Sequence, residues 1–259
     1  MPRGYTLILS RVAQAAITLV VLSVLVFFGA RATGDPAIAI ATGDATPEER
    51  DIIRHNLGLD KPVHVQYGNF LKDMVQGDFG RSIVFKTPAR ELLWGRLPNT
   101  LKLAGVGLLV AVVVGVPLGI MAAVKRGSSL DVFAKTFAVL GMSAPQFWVA
   151  IMLIMLFGSH LTWLPTHGMG GLSHYVLPAS VLSLFVLAGF TRLTRSAMLE
   201  VLDSEYVKFA RIKGLSERLV IFKHALKNAL IPVLTFGGIS FAGLLNGSIV
   251  VEVVYAWPG

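Results

Sequence analysis

The chain has no cysteine, which excludes disulfides, thiolate metal sites and cysteine nucleophiles. Charge is scarce as well: Asp, Glu, Lys and Arg make up 15% of the residues, against about a quarter in a soluble domain. No G-x-x-x-x-G-K-[ST] phosphate loop occurs anywhere, so that route to nucleotide hydrolysis is closed. Neither a catalytic triad nor a paired-carboxylate hydrolase site is visible. The 259 residues also carry no internal repeat, low-complexity tract or strand-rich segment.

What is abundant is apolar: 54% of the residues, with a mean hydropathy of +0.68. The apolar residues fall in several separate runs, the pattern of an integral membrane protein and not of one water-soluble core. The net charge of +8 fits two situations, nucleic-acid binding or the basic cytoplasmic loops of a membrane protein. Position along the chain decides for the second, so no nucleic-acid partner is expected.

A bilayer core takes about 20 apolar residues of helix. Runs of that kind lie near 12–30, 101–124, 132–157, 176–197 and 229–251. Only helices satisfy their own backbone inside lipid, so five helical spans are predicted. The first follows Arg3 and Arg11, and Ala30-Arg31-Ala32 has the look of a cleavage site. Its apolar run is longer than the ~7–15 residues of a signal peptide, and a retained helix is the reading. Span two has no charge from Leu103 to Val124, and its interior Pro117 is expected to kink it.

Charge sets the orientation. Lys125 and Arg126 follow span two, 158–176 has no Lys or Arg, and Arg192 to Lys227 holds eight basic residues against four acidic. The positive-inside rule therefore places 1–11, 125–131 and 198–228 in the cytoplasm, and the C-terminal end outside. The outer segment 31–98 balances nine basic with nine acidic residues. Within it Thr46-Pro47-Glu48-Glu49 reads as an N-cap, a first-turn proline and acidic first-turn residues, with Gly58 as the stop. Val63, Tyr67, Phe70, Leu71 and Met74 then recur at helical spacing, an amphipathic helix for the membrane face or the bundle.

Residues 203–228 are too polar to span and rich in helix formers. Asp203 or Ser204 caps a helix to about Lys213, Gly214 breaks it, and Ser216-Glu217 start a second helix along which Val220, Ile221, His224, Ala225 and Asn228 are spaced. The prediction is a helix–turn–helix on the cytoplasmic face with its corner at Lys213–Ser216. Contact of its basic residues with anionic headgroups is one role. A small-residue corner also suits docking into a groove on another protein.

The stretch Tyr206-Val207-Lys208-Phe209-Ala210-Arg211-Ile212-Lys213-Gly214-Leu215, followed by His224-Ala225-Leu226-Lys227-Asn228-Ala229-Leu230-Ile231-Pro232, resembles the cytoplasmic coupling loop of bacterial ABC importer permeases. It is most similar to the dipeptide/oligopeptide/nickel branch, in the first of that branch's two permease subunit types. The general loop reads Glu-Ala-Ala, three residues, Gly, nine residues, Ile-x-Leu-Pro. Here Ala210, Gly214 and Leu226 are kept, while Lys208, His224 and Lys227 replace the glutamate, isoleucine and proline; the branch shares these departures, with its proline at Pro232. The resemblance covers nearly the whole chain. It includes Gly34-Asp35-Pro36, Leu57-Gly58-Leu59-Asp60-Lys61-Pro62 with Gln66-Tyr67, Gly77-Asp78-Phe79-Gly80-Arg81-Ser82, Arg96-Leu97-Pro98-Asn99-Thr100, and Glu252 with Trp257-Pro258-Gly259.

The resemblance implies an all-α, polytopic membrane protein of the type I ABC importer transmembrane fold. Residues 1–98 would be a first span plus an outer helical segment, and 99–259 the permease core with its coupling loop at about 198–230. Members carry six spans, so a sixth, beyond Trp257-Pro258-Gly259, is missing from these five, as in a chain cut short. The implied activity is import of peptides or similar small solutes across the bacterial cytoplasmic membrane. The implied partners are a second permease subunit in a heterodimer, two ATP-binding subunits, an outer-side substrate-binding protein and the lipid bilayer. The permease has no hydrolytic site and binds no cofactor; ATP and Mg belong to the partner subunits. The coupling-loop residues would be Ala210, Arg211, Lys213, Gly214, Leu215, Ser216, Glu217, His224 and Asn228.

Other constellations read as follows. Asn246, Ser248 and Glu252 are candidates for the path or outer gate. Glu252, near the outer end of span five, is either half of a structural pair at the membrane edge or part of the gate. His160, His167 and His174 recur every seven residues, but Pro165 and Gly168-Met169-Gly170-Gly171 prevent one continuous helix, so an outer loop is the reading and no metal site. Gly115-Val116-Pro117-Leu118-Gly119 matches GxxxG and points to close helix packing with a partner the sequence does not name. Arg192 and Arg195, ending span four, are expected to snorkel to inner headgroups. A membrane-embedded enzyme would need intramembrane catalytic groups that spans two and three lack. An ATP-independent channel or secondary carrier is the alternative, and it gives the cytoplasmic helix–turn–helix no task.

Overall fold

A computed structural model describes residues 3–32, 34, 37–38, 41, 46–82 and 84–259. Asp35 and Pro36 lie outside the described residues. Among those described, helix dominates, and the only strand-like feature is an isolated bridge between Arg81 and Pro88. The chain forms two compact units, Met1–Leu93 and Trp94–Gly259.

In the first unit, α1 (Arg3–Ala32) is a single apolar helix. Helix α2 (Pro47–Asn56) opens with a full capping box: Glu49 N–H donates to Thr46 Oγ1, and Thr46 N–H donates to the Glu49 carboxylate at 2.9 Å. It ends before Gly58, whose positive φ of 64° suits the left-handed stop. The amphipathic α3 (Val63–Gln76) follows. It packs on the last turns of α1: Tyr67 and Phe70 lie against the buried Phe27, and the Ser23 and Tyr67 hydroxyls are 2.8 Å apart. Arg31 donates to Gln66 Oε1 at 2.6 Å with its guanidinium over the Phe27 ring.

The second unit is the bundle. Its elements are α4 (Ala89–Val124), α5 (Ser129–Ser143), α6 (Gln146–Leu153, prolonged by a wide π-type stretch Ile154–His160) and α7 (Ser173–Leu202). They continue with α8 (Glu205–Ile212), α9 (Glu217–Leu219, prolonged by a second π stretch Val220–Ala225) and α10 (Leu226–Val254). Four stretches are each long and apolar enough to cross a membrane alone: α1, α4, α7 and the run from α9 through α10. Pro98 and Pro117 lie inside α4, which stays one helix.

Over the expected third span, 132–157, α5 and α6 meet at a bend of 104°. Pro145 has no N–H to continue the ladder, and it forces Ala144 into extended backbone with ψ of 125°. The span is broken into two half-helices.

Helix α7 is the centre of the bundle, with Leu182, Phe190 and Met198 fully buried. Opposite it α4 presents Gly107, Ala111, Gly115, Gly119 and Ala123, one small residue per turn, all buried. A Cβ on Gly115 would stand 2.8 Å from Leu187 O, and one on Gly119 2.7 Å from Thr191 O. The partner of the GxxxG stretch is therefore α7 of the same chain, and absent side chains let the two backbones touch. α5 does the same with Ala134, Ala138 and Gly141, the last set against Ala188 and Leu184.

Candidate coupling corner and the two ends of the bundle

The bundle has two distinct ends. At one, the chain after α10 folds back: buried Trp257 donates from Nε1 to Asn99 O at 3.2 Å and meets Tyr175 edge to face at 4.7 Å. Asn99 Nδ2 returns a bond to Pro258 O at 2.9 Å, and Gly168 N–H donates to Tyr255 O at 2.8 Å. This end therefore gathers Asn99 of α4, the segment 161–172 and the end of α10, the parts whose charge pattern predicts the outer side. At the other end Ile120, Ala123, Met198, Leu202, Val207, Ala210, Val220, Ile221 and Ala225 form one apolar cluster. It joins the ends of α4 and α7 to α8 and the second π stretch.

The corner is built as its residue types demand. Ser204, in extended conformation, is the N-cap of α8. Lys213 closes α8, Gly214 takes φ of 77°, and Ser216 is the N-cap of α9. A residue with φ above zero is cheap only for glycine, which explains the glycine at the turn. Arg211 holds Glu217 across the turn, Nη2 to Oε1 at 2.7 Å and Nε to Oε2 at 3.2 Å. Glu217 in turn raises the pKa of the Arg211 guanidinium. Asn228 Nδ2 donates to the Tyr206 hydroxyl at 2.8 Å, tying α10 to α8.

The helix–turn–helix is present, with one extension: its second helix does not stop near Asn228 but runs through the π stretch into the last span. The expected docking residues separate. Arg211, Lys213, Gly214, Ser216, Glu217 and Asn228 are exposed, Leu215 and His224 half-buried. Ala210, 6% exposed, sits inside the apolar cluster and supports the corner from behind. The apolar surface the sequence reading passed over is Phe209, Ile212, Leu219 and Phe222, with Ile212 79% exposed. Their spacing on short polar helices, off the pattern that buries Val207, Ala210, Val220 and Ile221, was the available signal.

The candidates at the other end also separate. Asn246 is exposed, whereas Ser248 is fully buried and its hydroxyl donates to Leu245 O at 2.8 Å. They lie on opposite faces of α10, Asn246 outward and Ser248 toward the bundle core. Glu252 shares Ser248's side; its Oε1 is buried and makes no hydrogen bond among the described residues. Gly259 comes against that carboxyl group, with Thr100 alongside.

Arg195 corrects an expectation. Its guanidinium does not snorkel: Nε donates to Asp131 Oδ1 at 2.5 Å and Nη2 to Oδ2 at 3.1 Å. Asp131 is 1% exposed and also accepts from Gly127 N–H at 3.0 Å, with Lys135 Nζ at 3.3 Å. Arg192 is exposed, as snorkelling requires. A lone acid in the first turn of an apolar helix was the signal for this node, since such a charge needs a partner.

Long apolar helices, one of them broken, with a polar helical corner at one end define a polytopic membrane protein. Residues 115–259 match the family described as binding-protein-dependent transport system inner membrane component, and 5–104 match the N-terminal membrane-component family of such systems. A putative peptide transport system permease protein of Brucella suis biovar 1 (strain 1330) is 42% identical, over 98% of this chain and 83% of its own length. The glutathione transport system permease protein GsiC of Salmonella typhimurium (strain LT2) is also 42% identical, over 97% of this chain and 83% of its own. Among solved structures, the inward-facing MetNI methionine ABC transporter aligns with a TM-score of 0.51 at 19% identity, over 64% of this chain and 75% of that one. The chain belongs to this family, the permease subunits of ATP-binding-cassette importers, and is a multi-pass inner-membrane component.

Proposed function

We propose that this permease imports peptides or peptide-like solutes such as glutathione, and that its corner at 204–228 receives an ATP-binding partner subunit. The observation that carries the reading is the corner itself. Phe209, Ile212, Leu219 and Phe222 stand exposed beside Arg211, Lys213, Arg218 and Lys223 on a turn fixed by Gly214. Exposed apolar side chains with cations around them are the composition of a protein-docking patch.

In this reading a second permease subunit completes the path as a heterodimer, two ATP-binding subunits hold ATP and Mg, and an outer-side binding protein delivers the cargo. The chain itself hydrolyses nothing and holds no cofactor. Its N-terminus and corner are cytoplasmic, and the Trp257 end faces outward. ATP drives transport because it favours one conformation of the partner pair over the other, and the corner passes that preference into the bundle. Peptide-like cargo is supported by the names of the two relatives and by the resemblance of the coupling loop. Arg211, Lys213, Gly214, Leu215, Ser216, Glu217, His224 and Asn228 form or brace the docking turn. Asn246 stays a path candidate on the exposed face of α10, and Glu252 a gate candidate at its end.

The test is uptake of radiolabelled glutathione and of a dipeptide into vesicles holding the complex, with and without ATP. ATP-dependent uptake of either is the expected result. Equal uptake with and without ATP would contradict the importer and favour a secondary carrier.

A further inference from the structure

The Asp131–Arg195 pair does more than neutralise a buried charge. Gly119 of α4 packs so closely on α7 that its missing Cβ would stand 3.1 Å from Arg195 N. The backbone of Arg195 is thus seated against α4 while its side chain holds α5. Three helices meet at one residue. Two of them, α4 and α7, run directly into the apolar cluster under the corner, through Ile120 and Ala123 and through Met198 and Leu202. Helix α5 contributes no residue to that cluster. Its fully buried apolar positions are Ala134, Ala138 and Gly141, which allow close approach to α7, and Phe137 alone adds a half-buried large side chain packed against the core.

The distal end of α5 is the Ala144–Pro145 elbow. Beyond it, Gln146 lies beside Gly247 of α10, and Ala150 O accepts from the Tyr255 hydroxyl at 3.3 Å. A displacement of α5 therefore reaches both the elbow and the end of α10 that carries Tyr255.

We infer that the Arg195–Asp131 bridge is the strut that makes α5 move as one body with the coupling corner, so that motion at the corner is delivered to the elbow of the broken span. Arg195 is a positioning residue: it touches no cargo and acts through Asp131. A bidentate guanidinium–carboxylate contact suits the task because two parallel bonds fix angle as well as distance. Lys135, alongside, holds Asp131 by a single Nζ contact at 3.3 Å and cannot by itself fix the angle. The strut rests on the importer reading above.

The absence of native cysteine makes the test direct. Spin labels at introduced Glu205→Cys, at the start of α8, and Leu140→Cys, on the exposed side of α5, report the distance across the strut. The full chain is assembled with its partner subunits in lipid nanodiscs, with single-cysteine chains as background. Distances are recorded without nucleotide and with ATP trapped by vanadate. A reference pair at Leu140→Cys and Ile239→Cys reports whether the bundle rearranges at all.

With Arg195 intact, the corner–α5 distance is expected to stay within about 2 Å between the two states, the scale of small helix shifts, while the reference distance changes. With Arg195→Gln, ATP is expected to shift or broaden the corner–α5 distance. Arg195→Lys should give a partial effect, and the swap Asp131→Arg with Arg195→Asp should restore the narrow distribution. A narrow, unchanged distance in Arg195→Gln overturns the strut alone. If Arg195→Gln does not assemble, the Lys variant decides: an unchanged narrow distance there with ATP overturns the strut. A wild-type reference pair indifferent to ATP overturns the importer reading, and the strut with it.

Discussion

Arg211 and Glu217 clasp each other across the Gly214 turn, with Nη2 and Oε1 2.7 Å apart. Both side chains are about half exposed, so the pair is worth at most about 1 kcal/mol to folding. Its value is angular, since it sets how α8 meets α9. Arg211→Gln and Glu217→Gln are expected to leave thermal unfolding of the purified chain unchanged within that ~1 kcal/mol while weakening capture of ATP-binding partners. The double swap Arg211→Glu with Glu217→Arg should recover much of the capture. Titrating partner subunits onto the immobilised chain measures it.

The turn glycine makes a graded prediction. Nothing lies within 4 Å of a Cβ built on Gly214, so space is not the constraint; the φ of 77° is. A left-handed residue costs a β-carbon-bearing side chain about 1–2 kcal/mol, less for Asn. Stability and ATP-driven uptake should fall in the order Gly, Asn, Ala, with Gly214→Pro abolishing coupling because its ring fixes φ near −65°. Equal uptake across the series would show that the turn geometry is dispensable.

Gly119 tests the opposite limit. A Cβ there would stand 2.7 Å from Thr191 O and from Thr194 Cβ, both on a buried helix that cannot retreat. Gly119→Ala is expected to destabilise by about 1–3 kcal/mol, the usual range for overpacking. Gly105→Ala, where nothing lies within 4 Å, should be neutral. Thermal unfolding of the two variants in one detergent is the comparison.

At the opposite end Trp257→Ala should cost about 3–5 kcal/mol, as removal of a buried aromatic does. Trp257→Phe keeps the contact with Tyr175 but removes the indole N–H bond to Asn99 O, for about 0.5–1.5 kcal/mol. Hydrogen exchange should rise at 96–100 and 253–257 in both variants, more in the first, with the corner at 204–225 unaffected.

The features legible in the sequence are those decided within a few residues. Thr46 with Glu49, Gly58 and Gly214 each carry their own capping or turn chemistry, and Ser204 and Ser216 stand at N-cap positions, though neither side chain makes the capping bond. The Gly115–Gly119 spacing announced a close contact but not its partner, because any helix lacking bulk at that level would serve. Pro145 breaks the apolar run 132–157 locally, but a proline alone does not say how far the two halves bend apart. Asp131 with Arg195, 64 residues apart, and Trp257 with Asn99 and Tyr175 depend on which helices become neighbours, which no local pattern encodes. The burial of Ala210 has a related cause: a small residue in a polar loop suits a docking surface and a tight core equally, and only the packed neighbours separate them.

The most direct measurement on the central claim is recovery of partners from membrane with the tagged full-length chain in mild detergent, comparing wild type with Ile212→Glu and Ala210→Ser. Ile212 is exposed at the corner and Ala210 is buried behind it. The account predicts a second permease and ATP-binding subunits with wild type, retention of the second permease but loss of the ATP-binding subunits with Ile212→Glu, and near-normal recovery with the small Ala210→Ser change. Full recovery of ATP-binding subunits with Ile212→Glu, or a wild-type chain that comes out alone, would contradict it.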